Sequence, residues 1–428
     1  MKNIILFLLI LLKVPNQISS EIIIQFKRKW SNDFSNEKKI INNLMINDLI
    51  TKIKIGTPPK EINLSLHFKD FITYILGNEC ITECPKFNEK NSKTHLIIKK
   101  NIIYSYSGFE EGSISNETIN IGDNNINNFQ FILANKLRQD NFFSTTEYGV
   151  IGLNEKLQRA NLDLEEINFI KQLKNQNLID SYTFSIKYIN ENDGELIIGN
   201  YPHEYDKIFK EENLIEIYSH KISDNGEWGI MFDNITSGEF EIDKIEKSYS
   251  SLIYLENGVF FSNKEYQNII NQQFFLKYLN SKNCIIQEFL DYQIYVCDNT
   301  INKKAFPSLK FHLKAIHFIF EFNFNDLFYE YNHKNYFLVF FTNSSFWKIG
   351  KQMFKKYRLS FNQDKRTISF YGNDTKNNNH YFLKFIFLLI LDVIIIILLI
   401  NLRNKRLIKL FKNKRIKAEE LLEDEINL

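Results

Sequence analysis

Two four-residue segments gather the side chains of this 428-residue chain that could move protons: His67-Phe68-Lys69-Asp70 and Tyr254-Leu255-Glu256-Asn257. Two carboxylates close enough to share one proton can do hydrolytic work, one form activating a water while the other donates a hydrogen bond to a carbonyl. Asp70 and Glu256 are the carboxylates of the two segments. His67 and Tyr254, which open the segments, are no substitute pair. A tyrosine with an ordinary pKa of about 10 donates hydrogen bonds rather than acting as a base, and a histidine titrating near about 6.5 has here no adjacent carboxylate to hold its tautomer.

The elements that must position these segments read as strands. The run GTPPKEINLSL, residues 56–66, is a tight turn feeding a strand of alternating apolar residues that ends at His67. The second segment follows SLI, residues 251–253. Val150-Ile151-Gly152 and Lys348-Ile349-Gly350 suit strands that cross behind each loop, because glycine lets a neighbouring backbone approach closely. Phe346 and Trp347 are expected to pack beneath them. Between the two ends of the chain, short strands recur at roughly ten-residue intervals, separated by Asn, Gly and Asp turns, which argues for an all-β body. Helical spacing is confined to residues 168–178 and 263–279. No solenoid-type repeat occurs, but the pattern of strand, tight turn and later Gly-ended strand appears once in each half.

Composition narrows the class. A hydrophobic content of 44% supplies a sizeable core, and 53 Lys and Arg against 51 Asp and Glu give no global argument for nucleic-acid binding. Residues 1–20 have the charged, apolar and small-residue order of a cleavable secretory signal. Residues 382–402 are almost continuously apolar, long enough to cross a bilayer at a rise of about 1.5 Å per residue. The basic run that follows them predicts a cytosolic tail, residues 403–428, and hence a single-pass type I membrane protein with its body luminal or extracellular, at the cell surface, vacuole, lysosome or endomembrane. In such a compartment cysteines pair, and the spacing suggests Cys80 with Cys84 and Cys284 with Cys297, the latter loop worth about 3 kcal/mol. Glycosylation triplets begin at Asn63, Asn116, Asn234, Asn343 and Asn373. Four widely separated cysteines without clustered histidines make no zinc site, and neither a metal nor a cofactor is expected.

Over nearly all of residues 46–372 the sequence resembles the pepsin-like aspartic peptidases. ITKIKIGTPP is similar to that family's first strand and turn, and ECITEC stands at its short disulfide loop. YSYSGFEEGSISNETINIG looks like the flap hairpin and the strand after it, with Tyr104 and Tyr106 as candidate flap tyrosines. EYGVIGL, IKQLKNQNLIDSYTFSIKY, DGELIIGNYPHEY, EWGIMFDNIT and FWKIGKQMFKKYRLSFNQDKRTISFYG follow in register. EWGIMFDNIT looks like a strand with an exposed-edge Trp. Any one of these is weak, whereas eight in order are not.

The resemblance implies two β lobes around a substrate cleft, residues 48–200 and 201–372, with residues 373–381 as a stalk. Residues 21–47 stand where the family has its pro-segment, with Lys27, Arg28 and Lys29 as its basic residues, and read either as that or as an N-terminal linker. Carried across by counting, the family's two catalytic aspartates fall on His67 and Tyr254. Its glycines and hydroxyls are replaced as well, and Phe68 and Leu255 fill space where a hydroxyl network should be. The expectation is a pseudopeptidase: a membrane-anchored homologue that holds a peptide or protein segment without cutting it. Two rivals stand beside it. One is an active endopeptidase with a rearranged dyad of Asp70 and Glu256, which requires three- and two-residue shifts in the loops. The other is a structural surface protein with a filled cleft.

Overall fold

The computed structural model describes residues 21–30, 34–81, 85–103, 109–137, 148–154, 165–220, 227–242, 249–343 and 346–372. The chain divides into two units, residues 1–371 and 372–428, and every strand and helix described belongs to the first. The signal reading of residues 1–20, the stalk, the 382–402 span, the tail and Asn373 lie outside the described residues, as do Cys84, Tyr104 and Tyr106. Among the described residues no helix is long and apolar enough to cross a membrane.

Alternation of apolar and polar residues builds the strands that matter here. β1 (Ile22–Arg28) buries every second side chain, and α1 (Glu37–Met45) begins at Asn36, whose side chain accepts the Lys39 N–H as a cap. β2 (Leu49–Ile55) turns through Gly56, which has a φ of 89°, into β3 (Lys60–His67). β4 (Gly149–Gly152), α2 (Phe169–Asn175), β5 (Thr183–Tyr188) and β6 (Asp193–Ile198) complete the first half. In the second half β7 (Tyr249–Ile253) leads to the Tyr254 loop, followed by β8 (Phe260–Asn263), α3 (Lys264–Ile270), β9 (Trp347–Ile349) and α4 (Lys351–Lys356).

The fold is mostly β. Its largest sheet has 13 strands among the described residues, and β1 runs antiparallel between β2 and β6 in the middle of it. β1 is thereby built into the sheet, with Ile22, Ile24 and Phe26 as core residues, and α1 packs Ile41, Leu44 and Met45 against Val259, Phe261 and Phe340.

One arrangement occurs twice. β3 lies parallel to β4, pairing His67 with Gly152, and β4 then meets the antiparallel strand Tyr74–Leu76. β7 lies parallel to β9, pairing Ile253 with Ile349, and β9 then meets antiparallel β8. In both copies the loop leaves the first strand and is backed by the glycine that ends the second. A Cβ on Gly152 would lie 2.6 Å from the Asp70 carbonyl oxygen, and one on Gly350 would lie 2.3 Å from that of Asn257. No side chain can occupy either place, which is the close approach expected of these glycines.

Several local expectations need correction. Trp347 is buried against Tyr266 and Phe311, but Phe346, which precedes β9 and is out of step with its inward-facing Trp347 and Ile349, is 43% exposed. Trp228 is no exposed-edge residue: it is fully buried and its indole N–H donates to the Leu153 carbonyl at 3.0 Å. Cys80 carries a free thiol rather than the disulfide suggested by its spacing from Cys84. The turn after Leu76 folds it inward, where it is buried and donates to the Ala134 carbonyl. Cys284 and Cys297 are directly opposite on adjacent antiparallel strands and form a disulfide. Of the glycosylation triplets, Asn343 is exposed, whereas Asn63, Asn116 and Asn234 sit half-buried within strands, the last two with a buried amide oxygen.

Candidate functional site

The loop after β3 is held from behind. Leu153 N–H donates to the His67 carbonyl at 2.8 Å, Asn154 N–H to that of Asp70 at 2.9 Å, and the Asn154 amide to that of Lys69 at 3.0 Å. These bonds fix the backbone so that Phe68 turns inward. Its ring is 1% exposed and stands edge-on to Phe184, Phe354 and Phe361. A buried phenylalanine in such a cluster contributes on the order of 3–5 kcal/mol. The loop is therefore anchored by packing at the position next to its titratable residue.

The backbone turn brings His67 and Asp70 together, three residues apart. The imidazole Nδ1 lies 2.7 Å from Asp70 Oδ2, both side chains largely buried. An ionised carboxylate only accepts, so Nδ1 carries the proton. Burial pushes the imidazole pKa down, but the Asp70 hydrogen bond and charge, with the Glu256 and Asp48 carboxylates nearby, outweigh it and hold His67 above its ordinary value. Asp48 is itself buried beneath the loop and accepts the Ser65 hydroxyl. Tyr74, fully buried, has a hydroxyl with no hydrogen-bond partner among the described residues; burial, with the Asp70 and Asp48 charges, drives its pKa well up.

The second loop reaches across to the first. Glu256 Oε1 accepts the backbone N–H of Phe68 at 2.8 Å and that of Lys69 at 3.0 Å. Asn47 supports this loop from below, its amide donating to the Leu255 carbonyl at 2.6 Å and to the Tyr188 hydroxyl at 2.7 Å, while its N–H donates to the Glu256 carbonyl at 2.8 Å. Tyr254 does not turn toward His67 for a partner: its hydroxyl donates to the Glu227 carboxylate. Burial and then the Glu227 charge raise its pKa, so it stays a neutral donor. The ammonium groups of Lys69 and Lys348 stand 5.0 and 5.9 Å from its ring centre. Lys348 is lowered from the ordinary lysine value by burial and by Lys69.

Of the residues singled out by sequence, His67, Asp70 and Glu256 are brought into one cluster, and Tyr254 stands beside it through Lys69. Glu227, Asp48 and Asn47 were missed. Each acts across a fold contact rather than a motif: Asn47 and Leu255 are 208 positions apart, and no local signal marks such a pair. Among the described residues no group of three or more His, Cys, Asp or Glu could hold a metal ion.

Chemically, the arrangement can hold an imidazolium–carboxylate pair and bind two loops through one carboxylate. A model of the eukaryotic aspartyl protease family matches residues 48–372. No curated protein matches the chain.

Proposed function

Because the chain belongs to the eukaryotic aspartyl protease family, we propose that it is a pepsin-like homologue that has given up peptide hydrolysis and retains a peptide or protein segment between two β lobes. The observation that carries this reading is the commitment of the two loop carboxylates to different partners. Glu256 Oε1 takes two backbone N–H groups, and Asp70 is paired with His67. Two carboxylates that share a proton must face each other, with a water between them and the scissile carbonyl. The imidazolium on Asp70 and the two amides on Glu256 Oε1 compete with that exchange, while Glu256 Oε2 has no hydrogen-bond partner among the described residues. Phe68, buried in an aromatic cluster, further supports it, since an Asp70-based dyad requires the loop to slip by three residues and this ring would have to leave its place. The same protein, on this reading, is a type I membrane protein of the secretory pathway, anchored by residues 382–402.

The test is to incubate the purified full-length chain with a mixed peptide library between pH 3 and 6, capture the chain, and identify what is eluted. Intact peptides retained above background support the binding reading. Cleavage products overturn it in favour of a rearranged peptidase. Absence of both retention and cleavage overturns it in favour of a structural surface protein.

A further inference from the structure

We propose that a cavity walled by β1, the turn before β6 and the start of α4 is a binding site for a small free oxyanion of the sulfate or phosphate type, gripped by Arg28 and Lys351. The cavity has a volume of about 140 Å³, room for a tetrahedral oxyanion with hydration. It is roofed by Trp30 and Tyr329, whose rings are 6.2 Å apart, and floored by Leu44 and Gly258.

The charge on its walls is unbalanced. Arg28 and Lys351 are both more than nine-tenths buried. Glu191 is the carboxylate that faces them, and its oxygens are held by Lys351 at 2.9 Å and by Lys355. Among the described lining residues, Arg28 and Lys351 against Glu191 leave a surplus of one positive charge. Arg28 Nη2 donates to the Asn43 and Ile46 carbonyls at 2.5 and 2.6 Å, and the guanidinium stands 4.4 Å from the Trp30 ring centre. Its Nε is buried and has no hydrogen-bond partner among the described residues. A buried, charged N–H left unpaired is costly, and an oxyanion in the adjoining cavity removes that cost.

Burial makes both cations costly to keep charged. Burial brings Arg28 down to about 10, with Tyr188, Glu191 and Tyr329 opposing it. Burial and then Arg28 bring Lys351 down to about 8, against the raising effect of Glu191 and with Lys355 lowering it further. The Tyr188 ring lies 5.6 Å from the Lys351 ammonium and completes its surroundings. The proposal does not rest on what the two loops hold.

The experiment is calorimetric titration of the full-length chain with sodium sulfate, chloride replacing it to hold ionic strength. Sulfate does not titrate in the range used, so any pH effect belongs to the protein. Saturable binding is expected at pH 7, weakening about tenfold by pH 9 as Lys351 loses its proton. In Lys351→Gln, affinity should fall at least tenfold while the melting temperature in chloride shows the chain folded. Absence of saturable binding, a cavity filled by water alone, overturns the proposal. So does sulfate binding that is indifferent both to pH and to Lys351→Gln, which would mark an adventitious ion elsewhere. If Lys351→Gln does not fold, the pH series on the unaltered chain decides alone.

Discussion

A carboxylate that accepts two N–H groups from a facing loop is a cross-brace, and Glu256 can be relieved of that duty in two unequal steps. Glu256→Gln keeps an acceptor oxygen at the same reach and should cost within about 1 kcal/mol, whereas Glu256→Ala leaves the Phe68 and Lys69 N–H groups without it and should cost about 1–3 kcal/mol, measured by urea unfolding. Equal losses would mean that the bonds do not hold the loops. His67 gives a pH-dependent counterpart. Its folded pKa is raised, so the pair with Asp70 contributes stability that is fully present below about 6.5 and is lost as pH rises through the folded value. The stability difference between the unaltered chain and His67→Gln should therefore be larger at pH 5.5 than at pH 8.5, and a difference independent of pH would remove the imidazolium from the account. Residue identities at 67, 70, 254 and 256 were legible as chemistry from the sequence. Their partners were not: Asp48, Glu227 and Asn47 are polar residues of ordinary type whose roles arise only when distant strands meet.

At the scale of elements, the repeated loop-and-crossing-strand unit explains why so much of the architecture could be read in advance. A tight turn followed by alternation specifies β3, and a glycine ending β4 or β9 marks where another backbone passes. Gly152→Ala and Gly350→Ala should each destabilise by about 1–3 kcal/mol or more, since their Cβ atoms would meet backbone oxygens that cannot move aside like a flexible side chain. Gly122→Ala is the internal comparison. Its φ of 57° strains a side chain but no atom lies within 4 Å of the new Cβ, so it should cost less, about 1 kcal/mol. Comparable melting curves for Gly122→Ala and Gly350→Ala would contradict the close packing of loop on strand. What sequence reasoning misplaced at this scale was orientation. Trp228 was expected at an exposed edge from the resemblance of EWGIMFDNIT alone, yet its indole N–H finds Leu153, and Cys80 looked paired by spacing although its turn carries the thiol into the core.

For the whole molecule, the family membership and the proposed loss of peptide hydrolysis are compatible. The sheet in which β1 is paired on both sides, the buried aromatic cluster around Phe68 and the duplicated strand crossings do not depend on the residues that would cut a peptide. The body can keep its architecture while its loops change their occupation. The central claim is that the loop carboxylates brace the fold instead of activating water. Its most direct test is the rate of peptide hydrolysis by the purified full-length chain between pH 3 and 6, measured beside Asp70→Asn and Glu256→Gln. The account predicts no turnover above the buffer rate in any of the three. Turnover in the unaltered chain that is blocked by a statine-type inhibitor and abolished by either substitution would contradict it.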